Sequence, residues 1–507
     1  MTKAQEVYDI FIVGGGINGS GIARDAAGRG YGVYLAEKED LASGTSSSST
    51  KLIHGGLRYL EHYEFMLVRK ALQEREVLWK MAPHIIKSLR FILPHHKELR
   101  PAWLIRLGLF MYDHLGGRKL LPGTTTVDLK TDETGHALQP IFSKGFEYSD
   151  CWVDDARLVC LNAMDAQKLG AVVRTKTTVT KAEQINGLWH IQIENSETGI
   201  KETVKARVLV NATGPWVDKF LGGAGGDTDV HNVRLVQGSH IIVNKMFDHD
   251  RCYIFQNEDG RIIFAIPYED DFTMIGTTDH DYQGDPGDVY VTDKEIDYLC
   301  ASASEYFENK VTRDQVKWQF SGVRPLFDDG ASKAQEATRD YILRVEKQTD
   351  QGGLINIFGG KITTYRRLSE EVLENIETIL GAKAPKWTKA SSLPGGDFPV
   401  GGLSDLAAEL SSNYPFLGKG HIGRLVKLYG TLAPEMLGAS ESVEDLGLCF
   451  GGDLYQVEVD YLMQSEFALY PQDILYRRTK LGLVLMDDDT KKLATYMKTI
   501  RKKSLPN

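Results

Sequence analysis

An α/β protein with a β-rich second layer and a C-terminal helical domain is the fold this chain predicts. Three observations carry the expectation: a glycine turn between an apolar strand and a small-residue helix near the start, β-rich apolar runs through the middle, and helical spacing from about residue 398. A length of 507 residues allows two or three domains with a substantial core.

Asp9-Ile10-Phe11-Ile12-Val13 reads as a strand, Gly14-Gly15-Gly16 as a tight turn and Ile17-Asn18-Gly19-Ser20-Gly21 as the opening of a helix. Such a turn aims backbone N–H groups and the positive end of a helix dipole at a diphosphate. The next strand, Val33-Tyr34-Leu35-Ala36, runs into Glu37. A carboxylate about 20 residues beyond the glycines accepts hydrogen bonds from a ribose 2′-hydroxyl. The hydroxyl-rich run Thr45-Ser46-Ser47-Ser48-Ser49-Thr50 follows closely. The glycine turn and acid fit either NAD or FAD; the hydroxyl run reads either as a polar surface loop or as the second set of diphosphate and ribityl contacts that a firmly held FAD needs.

Apolar strand-like runs return at 206–214 and 354–361 and end in Gly-containing turns, as strands do when their C-terminal ends line a ligand crevice. The dinucleotide domain is therefore expected to be discontinuous, over 1–85, 150–230 and 320–392. Ser239-His240-Ile241-Ile242-Val243 and Arg261-Ile262-Ile263-Phe264-Ala265-Ile266 suit an antiparallel sheet that caps it. That sheet belongs to a capping and membrane-facing region over 86–149 and 231–319. Leu393-Pro394-Gly395-Gly396 reads as a boundary. Beyond it, Ile422, Leu425, Val426 and Tyr429, then Leu475, Leu481 and Leu483, show helical spacing. This predicts a helical domain over 398–507, for packing or for a partner, with a homodimer as one expectation.

Composition excludes several classes. A net charge of −10 offers no global field to attract nucleic-acid backbones. Cys151, Cys160, Cys252, Cys300 and Cys449 are scattered without a CxxC pair, so neither a metal site nor a disulfide framework is expected. The polar start Met1-Thr2-Lys3-Ala4-Gln5-Glu6 leads directly into the first strand, and no apolar run approaches the roughly 20 residues that span a bilayer. A cytoplasmic protein is expected, free to lie on a membrane surface.

Six blocks then carry a resemblance. They are Lys51-Leu52-Ile53-His54-Gly55-Gly56-Leu57-Arg58-Tyr59-Leu60-Glu61, residues 148–158 around Asp150-Cys151-Trp152, Asn211-Ala212-Thr213-Gly214-Pro215-Trp216, Ile275-Gly276-Thr277-Thr278-Asp279, Ser321-Gly322-Val323-Arg324-Pro325 and Phe358-Gly359-Gly360-Lys361-Ile362-Thr363-Thr364-Tyr365-Arg366. Together, and in this order, they resemble the FAD-dependent glycerol-3-phosphate dehydrogenases, members of the glutathione-reductase-like flavoproteins that also include amino-acid oxidases. The resemblance implies oxidation of glycerol 3-phosphate to dihydroxyacetone phosphate by hydride transfer to FAD, with electrons passed to ubiquinone or menaquinone. Oxidase relatives, which reduce oxygen to peroxide, carry a mid-chain insertion that this chain lacks. They remain the alternative.

On this reading the phosphate calls for guanidinium forks. Arg58, Arg324 and Arg339 are the candidates, with Lys361 adding charge and Tyr59 a hydrogen bond. A base for the C2 hydroxyl favours histidine. His240 is the first choice and His54 the second, and Arg324 and Lys361 complete the catalytic set. Cofactor contacts are assigned to Gly14, Gly15, Gly16, Ile17, Asn18 and Gly19, to Glu37 and Lys38, and to Thr45, Ser46, Thr50, Leu52 and His54. Further along they fall on Val179, Thr213, Gly214, Gly359, Gly360, Lys361, Thr363 and Thr364. The stretch Lys87–Lys119 holds seven Lys or Arg against Glu98 and Asp113, interleaved with Trp103, Leu107, Phe110 and other apolar residues. In an acidic chain that reversal of sign suits an anionic bilayer surface, and the resemblance implies a peripheral place on the cytoplasmic face of the cell membrane.

Overall fold

A computed structural model describes residues 7–97, 99–223, 232–257, 259–328, 340–346 and 352–504. Five parallel strands form the centre of the first sheet, in the spatial order Val172–Arg174, Val33–Ala36, Val7–Val13, Lys201–Asn211 and Gly353–Phe358. Parallel strands are covered on both faces and read as continuous apolar runs. Ile10, Phe11 and Ile12 accordingly have no exposed surface. Burying each such side chain is worth about 1.5–3 kcal/mol. The antiparallel hairpin Thr177–Ile185 and Leu188–Asn195 leads into the front half of Lys201–Asn211, and Ile342–Glu346 adds an antiparallel edge. The runs read at 206–214 and 354–361 thus lie side by side, with the first strand next to the former.

Helices Ile17–Gly28, Asp155–Lys168 and Tyr365–Leu380 pack against this sheet. The last buries Leu368, Val372, Leu373 and Ile376 at helical spacing, which makes a single apolar stripe toward the sheet.

A second sheet of ten strands stands over the first. Its centre is antiparallel: Val233–Asn244 pairs with Phe272–Gly276, which pairs with Ile262–Tyr268. The two runs expected to form the cap therefore share the sheet through an intervening strand. Ile86–His95 and Lys144–Val153 extend it, and the short Leu52–Ile53 closes its far edge.

This arrangement corrects the reading of Lys87–Lys119 as one surface segment. Its first part is a sheet strand whose Leu89, Phe91, Ile92 and Leu93 are buried. Arg90 is tied to Glu147 at 2.7 Å rather than free for a bilayer. Only Ala102–Leu115 forms a surface helix.

The C-terminal helices, among them Leu403–Asn413, Lys419–Tyr429, Gln456–Ser465 and Asp487–Ser504, enclose their own core around Ile422, Leu425, Val426, Tyr429, Leu475 and Leu481. Leu483 departs from the expected set: it packs against the cap core instead. Buried ion pairs fasten this domain to the first. Arg478 grips Asp40 at 2.6 and 2.8 Å, Lys480 pairs with Asp154, and Arg157 with Glu466. Removing one partner of such a pair costs about 3–5 kcal/mol, because the other charge is left buried and unpaired.

Candidate active site

A cavity of about 450 Å³ lies where the parallel strands end. Strand ends supply Val13-Gly14, Ala36-Glu37-Lys38, Ala212-Thr213-Gly214 and Gly359-Gly360 to its wall. Gly14 and Gly19 make the turn feasible: a Cβ at Gly19 would sit 1.9 Å from the Gly14 carbonyl oxygen, and one at Gly14 2.6 Å from that of Ala212. The helix that follows has no side-chain cap from Gly16. Its Ile17 N–H donates instead to Ser46 Oγ at 3.0 Å, which brings the hydroxyl run onto the helix N-terminus. Glu37 accepts from Gly15 N–H at 2.7 Å and from Glu39 N–H at 2.8 Å. Burial raises the Glu37 carboxyl above its usual range, against the pull of these two N–H groups. Backbone donors at a helix start, a carboxylate after the second strand and room between them fit a dinucleotide.

Of the residues expected to hold the cofactor, Gly14, Gly16, Ile17, Asn18, Glu37 and Lys38 line this cavity. So do Thr45, Ser46, Val179, Thr213, Gly214, Gly359 and Gly360. Gly15 and Gly19 stand behind the wall, holding Glu37 and the turn.

A second cavity, of about 200 Å³, adjoins it: Pro325 lines the first and Arg324 the second. Thr50, Leu52 and His54, expected at the cofactor, line this smaller space together with Arg58, Tyr59 and Arg324. The two sets meet because the chain from Thr45 to His54 runs from one cavity to the other. That run is pinned by Asp155, which accepts from Ser49 Oγ at 2.7 Å and Lys51 Nζ at 2.8 Å. The glycines after His54 are held by Tyr112, whose hydroxyl accepts from Gly55 N–H at 2.8 Å and donates to the buried Asp150.

Two glycines of the cap sheet make space for His240 and Arg324. The His240 ring lies over Gly276, its partner in register, where a Cβ would come within 2.2 Å of it. The Arg324 guanidinium lies over Gly238, where a Cβ would come within 2.4 Å. Arg324 donates to Thr277 Oγ1 at 3.0 Å and pairs with Asp279 at 3.5 Å.

His240 itself is fully buried, stacked on Phe320 at 4.8 Å between centroids, and stands behind Thr50, with Nε2 3.1 Å from Thr50 Oγ1. Burial holds its pKa well below the usual value, reinforced by Arg324 and Lys51. The same cause, with Lys361 and Arg75, takes His54 down to about 4. Both imidazoles are therefore neutral near pH 7 and able to accept a proton.

Lys361 lies beside the second cavity, its Nζ 3.8 Å over the Tyr59 ring. Thr363 and Thr364 line neither space: both are buried at the start of helix Tyr365–Leu380, where Thr363 Oγ1 accepts from His54 N–H at 3.3 Å. Arg339 lies outside the described residues. The structure adds Arg261, Thr277 and Asp279 to the second cavity, with Tyr148, Ile254, Ile262 and Phe264 as its apolar wall. Thr277 and Asp279 stood in one of the six blocks without an assigned role, and Arg261 sat beside a strand run, so motif order was the only signal available.

Comparison with known proteins places these features. Residues 9–366 match the family described as FAD dependent oxidoreductase, and residues 386–504 match the C-terminal domain of alpha-glycerophosphate oxidase. The chain is 51% identical over 95% of its length to D-erythritol 1-phosphate dehydrogenase of Brucella abortus, covering 96% of that protein. It is 48% identical over 97% to aerobic glycerol-3-phosphate dehydrogenase of Escherichia coli, again covering 97% of the relative. Among solved structures, the FAD complex of glycerol-3-phosphate dehydrogenase from Bacillus halodurans superposes with a TM-score of 0.75 at 26% identity, over 97% of this chain and 94% of that one. With the FAD-type cavity and these likenesses together, the chain belongs to the FAD-dependent oxidoreductases of the glycerol-3-phosphate dehydrogenase family.

Proposed function

We propose that this chain oxidises glycerol 3-phosphate to dihydroxyacetone phosphate and delivers the electrons to a membrane quinone. One observation carries the substrate half: guanidinium groups and the neutral His54 share a small cavity that adjoins the dinucleotide site, with the neutral His240 behind its Thr50 wall. Oxidising a secondary alcohol removes a hydride from carbon and a proton from oxygen. FAD, when bound, supplies the hydride acceptor.

The chain's own residues do the rest. Arg58 and Arg324 grip the phosphate, and Tyr59, with Lys361 over its ring, holds a substrate oxygen. Geometry favours His54 as the group that takes the C2 hydroxyl proton, since it lines the cavity, whereas His240 reaches it through Thr50. If the order is reversed, His240→Ala slows reduction of bound flavin more than His54→Ala does, with FAD retained in both.

The quinone half rests on the surface. Helix Ala102–Leu115 turns Trp103, Leu107, Phe110 and Met111 outward, and Tyr63 and Met66 add to the patch from the start of the neighbouring helix. Trp103 is 69% and Tyr63 80% exposed. Apolar residues so exposed, with Arg100 and Lys119 at the helix flanks, suit insertion into the headgroup region of an anionic bilayer. No helix among the described residues is long and apolar enough to cross a membrane. Flotation with anionic liposomes at low salt checks this, and a protein that stays at the bottom of the gradient removes the membrane claim.

Anaerobic addition of glycerol 3-phosphate to the yellow protein should bleach it, while glycerol should not. Unchanged colour overturns the reading. The 51% identity to an erythritol-phosphate enzyme favours a second reading, a four-carbon polyol phosphate, which a ratio of kcat/KM values for the two substrates decides. Peroxide formed in step with turnover would reassign the acceptor to oxygen.

A further inference from the structure

We infer that Arg261 is a third guanidinium of the substrate grip, an inference that rests on the phosphorylated-alcohol reading above. It lines the same 200 Å³ cavity as Arg58 and Arg324. Among the described residues those three cations share the lining with a single carboxylate, Asp279, which is already paired to Arg324. Within the described lining two positive charges are in excess, the complement of a phosphate monoester dianion, with Asp259 pairing Arg261 from outside the lining. Without Arg261 the excess would be one.

Arg261 is also built to wait in place. It immediately precedes strand Ile262–Tyr268, and its guanidinium carbon lies 4.7 Å over the ring of Tyr298. Tyr298 holds the same hairpin by its hydroxyl, donating to Asp259 at 3.0 Å and accepting from Asn257 at 3.3 Å. Asp259 stands 3.6 Å from Nε of Arg261. That pairing engages Nε, while the terminal nitrogens of Arg261 make no hydrogen bond among the described residues, so the fork is oriented with its outer edge open. Its side chain is 34% exposed, against 27% for Arg324, which leaves it open to an arriving anion. A stacked, oriented guanidinium loses less freedom on binding a phosphate than a free one.

The test uses FAD-loaded protein and two probes. Inorganic phosphate titrated calorimetrically into Arg261→Gln should bind about 10-fold or more weaker than into the parent, the range expected for losing charge-assisted hydrogen bonds. KM for glycerol 3-phosphate should rise about 10–100-fold with kcat within about twofold and FAD content unchanged. Arg261→Lys should recover part of the loss, and Tyr298→Leu, which removes the platform, should fall between. Phosphate affinity within about threefold of the parent, or no phosphate binding by the parent, overturns the proposal, as does a fall in kcat matching that in kcat/KM, because a structural role would give it. Should the parent bind phosphate yet fail to bleach with either polyol phosphate, the functional reading fails while the calorimetric comparison still decides Arg261.

Discussion

The dinucleotide cavity and the arginine-lined cavity adjoin, yet they are made in different ways. The first is mostly backbone: strand ends, a glycine turn and a helix N-terminus, with Glu37 the principal charged side chain. The second is mostly side chain, brought from the chain after Thr50, the cap strands near Arg261 and Phe264, the turn Thr277–Asp279 and the long strand bearing Arg324. Backbone recognition writes itself into a short local motif, whereas side-chain recognition is spread over segments that only folding brings together. The first site should therefore fail through sterics and the second through charge and position.

The largest effect expected is in the first cavity. Gly19→Val should yield protein without flavin absorbance, since its side chain would occupy the Gly14 carbonyl, and full FAD content in that variant would break the comparison. Next is Arg324→Ala, which should keep FAD but raise KM for glycerol 3-phosphate about 100-fold or more, with the Arg324–Asp279 pairing lost. Steady-state kinetics showing an unaltered KM would separate Arg324 from the substrate. Gly276→Ala sharpens the distinction further. It pushes the His240 ring aside and should slow flavin reduction about 10–100-fold while FAD stays bound, as misplacement of about 1 Å does elsewhere. Stopped-flow reduction at the parental rate would mean that His240 need not hold its place.

The smallest effect is in pH. The neutral His54 is the competent form, so kcat/KM expressed on the dianionic substrate, whose own second pKa is about 6, should hold down to an acidic limb near 4 rather than 6.5. Between 6.5 and about 4 the unfolded chain binds a proton at this position that the folded chain refuses. Stability contributed there is present above 6.5 and declines as pH falls through that window. His54→Asn should flatten the slope of denaturation midpoints over that range, and an unaltered slope would assign it to other groups.

Legibility followed the same division. Glu37 could be placed beside the glycine turn because both belong to one strand–helix–strand unit. The strands at 206–214 and 354–361 could be assigned to one sheet because buried parallel strands are uniformly apolar. Thr50, Leu52 and His54, assigned to the cofactor from their place at and after the end of the hydroxyl run, line the second cavity, and only the fold shows that the run passes from one cavity to the other. Arg90 looked like a surface charge because Glu147, its partner in the sheet, lies far along the chain. Leu483 shared the spacing of the C-terminal helices, yet a turn at Leu481–Leu483 directs it to the cap core. Arg261 stood at the head of a cap-sheet run with no sign of a role, since that role depends on Tyr298 and on which neighbours share its cavity.

By itself the sequence determined the dinucleotide fold, because local glycine geometry and period-two or continuous apolar runs dictate strands and turns whatever lies around them, while FAD and the family came from the resemblance carried by its six blocks. Only the tertiary structure decided which cations stand together, which histidine faces the cavity and which basic residues are already paired. Coulombic and hydrogen-bonding partners are set by distance in space, and that distance does not exist until the two sheets have packed.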